Sequence, residues 1–512
     1  MPHASELAHA VERAAHVGDM IEVRLDCLAA AELDPALREM SARPPGPHCS
    51  IILTMRAAEQ GGRNSLSYED RYRFWASLND LPGDCLIDLE LALVLDFAAE
   101  SARGKQSIDW SRVICSHHDF AGVPADFEQL YESMAATPAR ILKFAVQAND
   151  AIDCLAMLRL LDRAQREGRE MIAIAMGQAG IATRILGPSR GSFLTYGSLG
   201  YESATAPGQL TARELRDLYR IDHIDRDTEI MGLVGTPVGH SISPRIHNAA
   251  FAAAEVNAVF LPFEVREVGS FMRRMVRKST REIDWNIRGL SVTAPHKSAV
   301  MNSLDWVEPA AKEIGAVNTI LVQDHQLHGY NTDAAGFISP LHDRCPSLKG
   351  ARCAVIGAGG AARAALWGLQ NQKAHAALFV RDPVKANRVA AEFGIECYPI
   401  AEASFDGFDI VVNATPLGTL GTRENETVAT AEQLLGVRLA YDLVYNPLET
   451  RFQREARMAG CQTIGGVHML IAQAVDQFKL WTGKQPDLAV MRAAALKALS
   501  WESSIKNAVS GI

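Results

Sequence analysis

A lysine stands inside an apolar strand in the first half of the sequence. Lys143 lies in the run Ile141-Leu-Lys-Phe-Ala-Val146, where an unpaired ammonium group would be costly. Burial lowers the pKa of a lysine, which makes a free amine available to attack a ketone. The alternative is a lysine whose head group reaches water past the strand edge. Ketone chemistry is favoured by His118 at a neighbouring strand end and by three arginines near further strand ends, namely Arg24, Arg56 and Arg184.

Two adjacent histidines follow the strand before Lys143. Side chains alternate between the two faces of a strand, so only one of His117 and His118 can point inward. The other is expected to be solvated or packed in the core. The pair therefore does not predict a metal site, and we expect no metal.

A second lysine and a carboxylate follow strand ends in the second half. Lys297 is the last residue of the stretch Gly289-Leu-Ser-Val-Thr-Ala-Pro-His-Lys297. Asp333 is the last residue of the stretch Gly329-Tyr-Asn-Thr-Asp333. Both would ordinarily be surface charges. They precede a dinucleotide loop, however, where a substrate facing a nicotinamide must lie. Ser241 and Ser243 expose hydroxyls just before a helix; capping of that helix by Ser243 is the alternative.

The dinucleotide loop lies at the junction of a predicted strand and a predicted helix. An apolar run ends at Gly357, and an Ala-rich helical run follows. Gly357 permits a tight turn, Gly359 allows a pyrophosphate to approach the backbone, and Ala362 packs the helix on the strand. Free N–H groups at the helix N-terminus favour phosphate. The residues expected to hold the cofactor here are Gly357, Ala358, Gly359, Gly360 and Ala361.

The end of the next strand favours NADP over NAD. An acid is typical there for a ribose hydroxyl, and an arginine for a 2′-phosphate. Arg381 ends the strand Ala377–Val380, and Lys385 follows one helical turn later. Asp382 argues for NAD, because its carboxylate would repel the phosphate. We expect NADP.

The composition excludes several classes of protein. The chain has 512 residues, a formal charge of −9, 48% apolar and 22% charged residues, which is typical of a globular protein of about three domains. The net charge argues against a nucleic-acid partner. No apolar run approaches the length of a membrane helix, and the N-terminus has no secretory pattern. Nine scattered cysteines favour reduced thiols and a cytoplasmic location.

The first half alternates strands with helices, which predicts a parallel (β/α) barrel. The predicted strands are Met20–Leu25, Ser50–Met55, Cys85–Leu89, Arg112–Ser116, Arg140–Val146, Met171–Met176 and Ser192–Tyr196. A closed barrel of this class needs eight strands, and a helix, Ser5–His16, stands where the first should be. We therefore expect a barrel that is open between the first and last strands, a less stable first half, and a start codon that lies upstream.

The first half resembles the type I 3-dehydroquinate dehydratases over roughly residues 5–220. The motifs that carry the resemblance are EVRLD, TMRAAEQGGR, SHHDF, ILKFA, GIATRILGPSRGS and TAPGQ. The resemblance implies that Lys143 forms an imine with the substrate ketone and that His118 removes the neighbouring proton. It also implies a set that holds the hydroxyls and the carboxylate: Glu22, Arg24, Arg56, Arg184, Thr205 and Gln209. Gln60 stands where members usually have Glu, and a glutamine can orient His118 but cannot raise its basicity by charge.

The second half resembles the shikimate dehydrogenases over about residues 230–505. The motifs are GHSISP, SVTAPHK, GAVNT, YNTDAAGF, GAGGAARA, NATPLG and GVHMLIAQA. The resemblance implies that Lys297 and Asp333 are the catalytic pair. It implies that substrate is bound by Ser241, Ser243, Thr293, Asn318 and Gln473, and that the cleft and cofactor are framed by Leu443, Tyr445 and Gly466.

Together these features predict four segments. They are a (β/α) barrel over residues 1–222, a substrate domain over 230–335, an NADP-binding Rossmann-type domain over 336–474, and C-terminal helices over 475–512 that return to the substrate domain. The resemblances imply conversion of 3-dehydroquinate to 3-dehydroshikimate and then to shikimate. Two alternatives stay open: a quinate or quinate/shikimate dehydrogenase fusion using NAD, and a metabolite-sensing regulatory protein without catalysis.

Overall fold

The structure is a computed structural model that describes residues 6–42, 49–63, 66–78, 85–105, 108–200 and 208–509; for residues 8, 40–42, 402 and 501–509 it describes the backbone only. Contacts divide the chain into two compact units. The first comprises Met1–Arg226 with two short segments, Phe263–Val265 and Glu282–Asp284, and the second comprises the rest.

The first unit is built on a six-stranded sheet in sequence order, with every neighbouring pair parallel. Its strands are β1 (Met20–Arg24), β2 (Ser50–Thr54), β3 (Leu86–Glu90), β4 (Val113–Asp119), β5 (Ile141–Gln147) and β6 (Glu170–Met176). Its helices are α1 (Leu7–Ala15), α2 (Leu33–Ala42), α3 (Tyr68–Ser77), α4 (Leu91–Ala102), α5 (Phe127–Ala135), α6 (Cys154–Glu167) and α7 (Ile181–Leu186).

The prediction of a seventh strand is wrong. In the segment Ser192–Tyr196, a single bridge joins Ser192 to Met171 of β6, and the Phe193 amide donates to the Met171 carbonyl at 2.7 Å. Among the described residues, β1 and β6 are the edge strands of the sheet and do not pair with each other. This agrees with a barrel that is open between its first and last strands. The lower stability of this half stays a prediction.

After the barrel, the sequence Thr211-Ala-Arg-Glu214 predicts a capping box for a helix that runs to about Arg220, and the box is confirmed. The Glu214 amide donates to Thr211 Oγ1 at 3.1 Å, and the Thr211 amide donates to Glu214 Oε2 at 3.1 Å. The helical turn that follows spans Glu214–Leu218 and is shorter than predicted.

The second unit contains two further sheets of six strands. The first has the order β10-β12-β11-β9-β7-β8, with β11 antiparallel to β9 and β12. Its strands are β7 (Glu229–Gly235), β8 (Ala258–Glu264), β9 (Ile287–Val292), β10 (Trp306–Val307), β11 (Thr319–Gln323) and β12 (Gln326–Tyr330). The helices in this part of the chain are α8 (Ser243–Ala253), α9 (Val268–Phe271), α10 (Pro309–Ile314) and α11 (Asp333–Arg344).

The other sheet is parallel throughout, in the order β15-β14-β13-β16-β17-β18 that is typical of dinucleotide-binding folds. Its strands are β13 (Arg352–Ile356), β14 (His375–Val380), β15 (Cys397–Pro399), β16 (Ile410–Asn413), β17 (Leu439–Asp442) and β18 (Gln462–Ile464). The remaining helices are α12 (Gly360–Asn371), α13 (Pro383–Phe393), α14 (Arg451–Met458), α15 (Gly466–Thr482) and α16 (Leu488–Val509).

The last two helices pack on the sheet that contains β7. Phe478 and Trp481 of α15 and Met491 of α16 share one core with Ile246 and Phe251 of α8. The C-terminal end of the chain therefore contributes to the core of the earlier sheet. The boundaries drawn from the sequence at residues 336 and 474 stay predictions. Among the described residues, no helix combines the length and the apolar character that a membrane crossing requires.

A histidine lies at the centre of this core. The His247 ring stacks on Phe260 with 4.5 Å between the ring centroids, lies 5.2 Å from the Trp481 ring, and is fully buried. Burial lowers the pKa of His247 to about 3, and the neighbouring Gln477 amide offsets only part of that effect. The imidazole is therefore neutral in the folded protein.

This burial predicts a pH dependence of stability. Between about pH 3 and pH 6.5 the unfolded chain binds a proton at His247 that the folded chain does not. The stabilisation is complete above pH 6.5 and is lost as the pH falls. From pH 7 to pH 5, wild type should lose about 2 kcal/mol more free energy of unfolding than His247→Leu, as measured by urea denaturation. The exposed control His375→Leu should keep the wild-type slope; equal slopes in all three proteins would contradict the assignment.

Candidate active sites

A pocket opens at the carboxyl ends of the strands of the first unit. It is lined by Glu22, Arg24, Arg56, Gln60, Gly61, His118, Phe120, Lys143, Ala145, Ile174, Met176, Arg184, Tyr196 and Gln209. All the site residues predicted for this half line the pocket, except Thr205, which lies outside the described residues. Parallel strands bring these residues together because their carboxyl ends meet at one edge of the sheet.

Lys143 is paired rather than isolated. Its ammonium donates to Asp88 Oδ2 at 2.8 Å and to Tyr196 Oη at 3.0 Å, and it lies 3.5 Å from Glu22 Oε1. The residue is 4% exposed. The three donors of the ammonium therefore have three oxygen neighbours.

These contacts correct the expectation that burial leaves Lys143 with a low pKa. Burial alone does lower the pKa, but the charges of Asp88 and Glu22 and the Tyr196 oxygen raise it by more. The net pKa lies above the ordinary value of lysine, so the resting side chain is an ammonium. Attack on a ketone therefore requires a group that removes a proton from the nitrogen.

Asp88 balances two buried cations. Its Oδ1 lies 2.8 Å from Arg56 NH2 and accepts from Ser116 Oγ at 2.5 Å, while its Oδ2 accepts from Lys143. Arg56 NH1 also donates to Ser116 Oγ at 2.6 Å. Burial tends to raise the pKa of Asp88, but Arg56 and Lys143 hold it well below its ordinary range. The carboxyl is thus fixed as an acceptor.

His118 is poised as a base. Burial, followed by the positive charges of Arg56 and Lys143, holds the pKa of His118 well below its ordinary value, so the imidazole is neutral. Gln60 is hydrogen-bonded to His118, as the sequence allowed, and the bond is made to the backbone: Gln60 Oε1 accepts from the His118 amide at 3.1 Å. His118 lines the pocket, whereas the His117 ring lies 6.1 Å from the Phe144 ring.

Arg184 is the cation in this pocket that lacks an acidic neighbour among the described residues. It is 2% exposed, its NH1 donates to the Tyr196 carbonyl at 3.4 Å, and its Nε is buried without a partner. Burial lowers the pKa of Arg184 to about 10. In contrast, Arg24 donates to both oxygens of Asp26, at 2.8 and 2.7 Å. A guanidinium buried in this way suits a carboxylate of a bound molecule.

The second site centres on a lysine–carboxylate pair. Lys297 Nζ donates to Asp333 Oδ2 at 2.5 Å, and Asn318 Nδ2 donates to Asp333 Oδ1 at 2.8 Å. Asn318 Oδ1 accepts from the Thr332 amide at 2.8 Å and from Thr319 Oγ1 at 2.9 Å. Asp333 is the first residue of α11. The turn before this helix and strand β11 therefore fix the carboxylate that holds Lys297.

Hydroxyl groups predicted for this site lie in the segment from the end of β7 to the start of α8 and directly after β9. Ser241 Oγ donates to Ser243 Oγ at 3.2 Å and accepts from the Ser243 amide, the first of α8, at 3.3 Å. Ser243 lies inside the helix rather than before it, so the capping role for Ser243 is wrong. Thr293 is joined to β7 by its amide, which donates to the Val234 carbonyl at 2.8 Å. Gln473 is 7% exposed and donates to the Leu470 carbonyl at 2.8 Å.

The loop after β13 fits a dinucleotide. Gly357 has φ +111°, and a Cβ there would lie 3.0 Å from the Ala414 carbonyl oxygen. A Cβ at Gly359 would meet nothing within 4 Å, which leaves the approach to the backbone open, and α12 begins at Gly360. A Cβ at Gly466 would lie 2.3 Å from the Leu443 carbonyl oxygen, so these two predicted residues are neighbours.

At the end of β14, Asp382 bonds the start of the next helix. Asp382 Oδ1 accepts from the Lys385 amide at 3.2 Å and thereby caps α13, and its other oxygen lies 3.5 Å from Lys385 Nζ. Arg381 is exposed beside it. The carboxylate has a structural role in the helix, and the two cations can face a 2′-phosphate.

Several site residues were not predicted from the sequence. In the first site these are Asp88 and Tyr196; the apolar run around Asp88 carries the same signal that identified Lys143, a charge inside a buried strand. In the second site, Gln477 donates to Ser291 Oγ at 3.1 Å and Thr319 Oγ1 at 3.0 Å. No sequence pattern connects residues so far apart in the chain.

Known proteins are similar to both halves of the chain. Residues 1–226 match the sequence model of the type I 3-dehydroquinase family. The chain is 33% identical over 486 residues to the bifunctional 3-dehydroquinate dehydratase/shikimate dehydrogenase, chloroplastic, of Arabidopsis thaliana, an alignment covering 91% of this chain and 78% of that protein. The chain belongs to this bifunctional family.

Further matches concern the second half of this family member. Residues 233–320 match the shikimate dehydrogenase substrate binding domain, and residues 466–496 match the shikimate 5'-dehydrogenase C-terminal domain. The shikimate dehydrogenase (NADP(+)) of Moorella thermoacetica is 38% identical, over 55% of this chain and 97% of that protein. A crystal structure of a shikimate dehydrogenase in complex with NADP+ is 36% identical with a TM-score of 0.50, over 54% of this chain and 97% of that one.

The charge balance around Asp88 predicts a stability effect. Asp88→Asn would leave Lys143 and Arg56 buried without their shared acid, which should cost about 3–5 kcal/mol of unfolding free energy. Calorimetry of the full chain should show the transition of the first unit shifted down and that of the second unchanged. Because the cations hold the pKa of Asp88 low, this contribution is present above about pH 4 and is lost as the pH falls further. The exposed control Asp96→Asn should have little effect, and an equal shift in both variants would contradict the assignment.

Proposed function

We propose that the chain catalyses two consecutive steps of the shikimate pathway. The first unit dehydrates 3-dehydroquinate to 3-dehydroshikimate, and the second reduces that product to shikimate with NADPH. The observation that carries the proposal is that one chain holds two separate lysine sites. One lysine is buried between carboxylates beside the open guanidinium of Arg184, and the other is bonded to Asp333 near a dinucleotide loop.

In the first site Lys143 forms an imine with the ketone. The imine is a cation, so Asp88 and Glu22, which stabilise the ammonium, stabilise the iminium that replaces it. The iminium draws electrons from the adjacent carbon. His118, neutral and buried, removes the proton from that carbon and later protonates the departing hydroxyl.

The remaining pocket residues bind the substrate. Arg184 binds the carboxylate, because its buried Nε has no partner in the described structure. Its guanidinium fork suits a carboxylate geometrically as well as in charge. The hydroxyls and the outer edge of the substrate are bound by the other predicted residues, which are Glu22, Arg24, Arg56, Thr205 and Gln209.

In the second site Lys297 and Asp333 act as a unit. Bound NADPH supplies a hydride to the carbonyl carbon. Lys297 donates a proton to the oxygen of that carbonyl, and Asp333 orients the reacting group and holds the lysine. Asn318 fixes Asp333 through a hydrogen bond of 2.8 Å. The substrate is bound by Ser241, Ser243, Thr293, Asn318 and Gln473.

The cofactor is held by the loop that begins at Gly357. Free N–H groups at the start of α12 would hold the pyrophosphate, and Arg381 and Lys385 would hold the 2′-phosphate. A Cβ at Gly360 would lie 2.8 Å from Lys297 Cδ, so the loop also limits where the lysine can lie. Ala358, Ala361, Leu443 and Gly466 complete the cofactor site.

We place the enzyme in the cytoplasm. All nine cysteines are free thiols, as a reducing compartment would keep them. The Arabidopsis relative is named as chloroplastic. The proposal for this chain is supported by its thiols.

The two lysines allow each activity to be tested separately. Borohydride added with 3-dehydroquinate should trap a covalent adduct on Lys143, and Lys143→Ala should abolish dehydration while shikimate oxidation continues. Lys297→Ala should lower the rate of hydride transfer by about 10²–10⁴-fold and leave dehydration intact. Each variant is the control for the other. Trapping on another residue, or a change in KM alone for Lys297→Ala, would contradict the assigned roles.

Arg381 should select NADPH over NADH. A charge-assisted contact with phosphate contributes about 1.5–3 kcal/mol, so Arg381→Ala should weaken NADPH binding about 10–100-fold and NADH binding little. Steady-state kinetics with both cofactors measures this. Arg388→Ala is the matched control, because it removes an exposed arginine of α13 that pairs with Glu392. Equal losses for both cofactors would exclude a role of Arg381 in reading the 2′-phosphate.

A further inference from the structure

The Tyr196 hydroxyl contacts the reacting nitrogen of the first site. Its oxygen accepts from Lys143 Nζ at 3.0 Å, and its ring centroid lies 4.3 Å from the same atom. Because an ammonium has only donors, the hydroxyl must accept in this bond, and its own proton remains available. Among the described residues, that hydroxyl donates to no other group, and Tyr196 lines the pocket.

We propose that Tyr196 is a catalytic residue that relays protons from the Lys143 nitrogen to the ketone oxygen during imine formation. The proposal rests on the imine chemistry of the proposed function. It adds a group that the chemistry needs, because Lys143 is an ammonium at rest and cannot attack until a proton leaves it.

The relay balances in two transfers. In the first, an ammonium proton passes to the Tyr196 oxygen as the Tyr196 proton passes to the carbonyl oxygen. The freed nitrogen pair forms the C–N bond, and the carbonyl π pair moves to oxygen. In the second, another N–H proton passes to Tyr196 as the Tyr196 proton passes to the new hydroxyl. The C–O bond breaks, water leaves, and the nitrogen pair forms the iminium.

This route needs no external acid or base. The ammonium and the ketone together carry one positive charge, and so do the iminium and water. Two protons leave the nitrogen and two reach the oxygen, while Tyr196 ends as it began. Reversal of the same transfers hydrolyses the product imine.

The other neighbours of Lys143 are poorly suited to the relay. Asp88 accepts from Lys143 but is fixed as an ion by Arg56 and Ser116. Glu22 lies farther, at 3.5 Å, and its nearer oxygen already accepts from Thr54 Oγ1 at 2.8 Å. Burial raises the pKa of Tyr196, which keeps its proton in place at neutral pH.

The test is the single-turnover rate of imine formation, followed by quenching with borohydride. Tyr196→Phe removes only the oxygen and should slow trapping on Lys143 about 10²-fold, at the low end of the contribution of a general acid–base group. The affinity for 3-dehydroquinate should change less than about twofold. Tyr131→Phe is the matched control, because that hydroxyl bonds Glu167 and does not line the pocket; it should trap at the wild-type rate.

The outcomes separate this proposal from the proposed function. If wild type forms no adduct on Lys143, the imine chemistry itself fails. If wild type and Tyr196→Phe form the adduct at the same rate, only the relay is overturned. The relay can also be tested on the wild type alone. Imine formation should be at least about twofold slower in D₂O than in H₂O, and an unchanged rate would also overturn the relay.

Discussion

The first site depends on one buried carboxylate that faces two buried cations. Without Asp88, Arg56 and Lys143 would repel each other inside a sheet edge that excludes water. Placing one acid between them makes the cluster stable, and it also gives Lys143 a raised pKa. The arrangement therefore favours a positively charged nitrogen at every stage, first as an ammonium and then as an iminium. The negative charge that keeps the resting lysine protonated thus also stabilises the iminium that the lysine forms.

The same field sets the state of His118. The cations that Asp88 does not fully neutralise act on the imidazole, and together with burial they keep it neutral. A neutral imidazole can accept a proton, whereas a charged one cannot. The pocket thus holds a cationic nitrogen and a neutral base near each other, and each state helps to maintain the other. This division of charge is what removal of a proton next to an iminium requires.

The sequence allowed much of this to be predicted, because a charge in an apolar run is visible without a structure. Lys143 was identified in that way. The dinucleotide loop was identified by its glycine spacing, and Lys297 and Asp333 by their place after strand ends that precede that loop. The direction in which the pKa of Lys143 is shifted could not be predicted, since it depends on partners from other strands. Asp88 lies opposite Ile114 across β3 and β4, and Lys143 lies opposite Ser116 across β4 and β5. Ile114 and Ser116 are two residues apart on β4 and so lie on one face of the sheet. Only that register shows that the carboxylate and the ammonium share a face. The segment Ser192–Tyr196 was predicted as a strand from its apolar residues, but it pairs with β6 at one residue only.

The two lysines show how the surroundings of one side-chain type direct different chemistry. Both are bonded to an aspartate, Lys143 at 2.8 Å and Lys297 at 2.5 Å. The Lys143 side chain is 5% exposed and meets three oxygens, so its nitrogen is held at a fixed point, as bond formation to carbon requires. The Lys297 side chain is 17% exposed, and its aspartate is fixed by Asn318 instead. A partly exposed ammonium with one anchored partner can give up a proton and regain it from water, which suits reduction of a carbonyl. The enclosed lysine thus suits covalent catalysis, and the accessible one suits exchange of a proton with water.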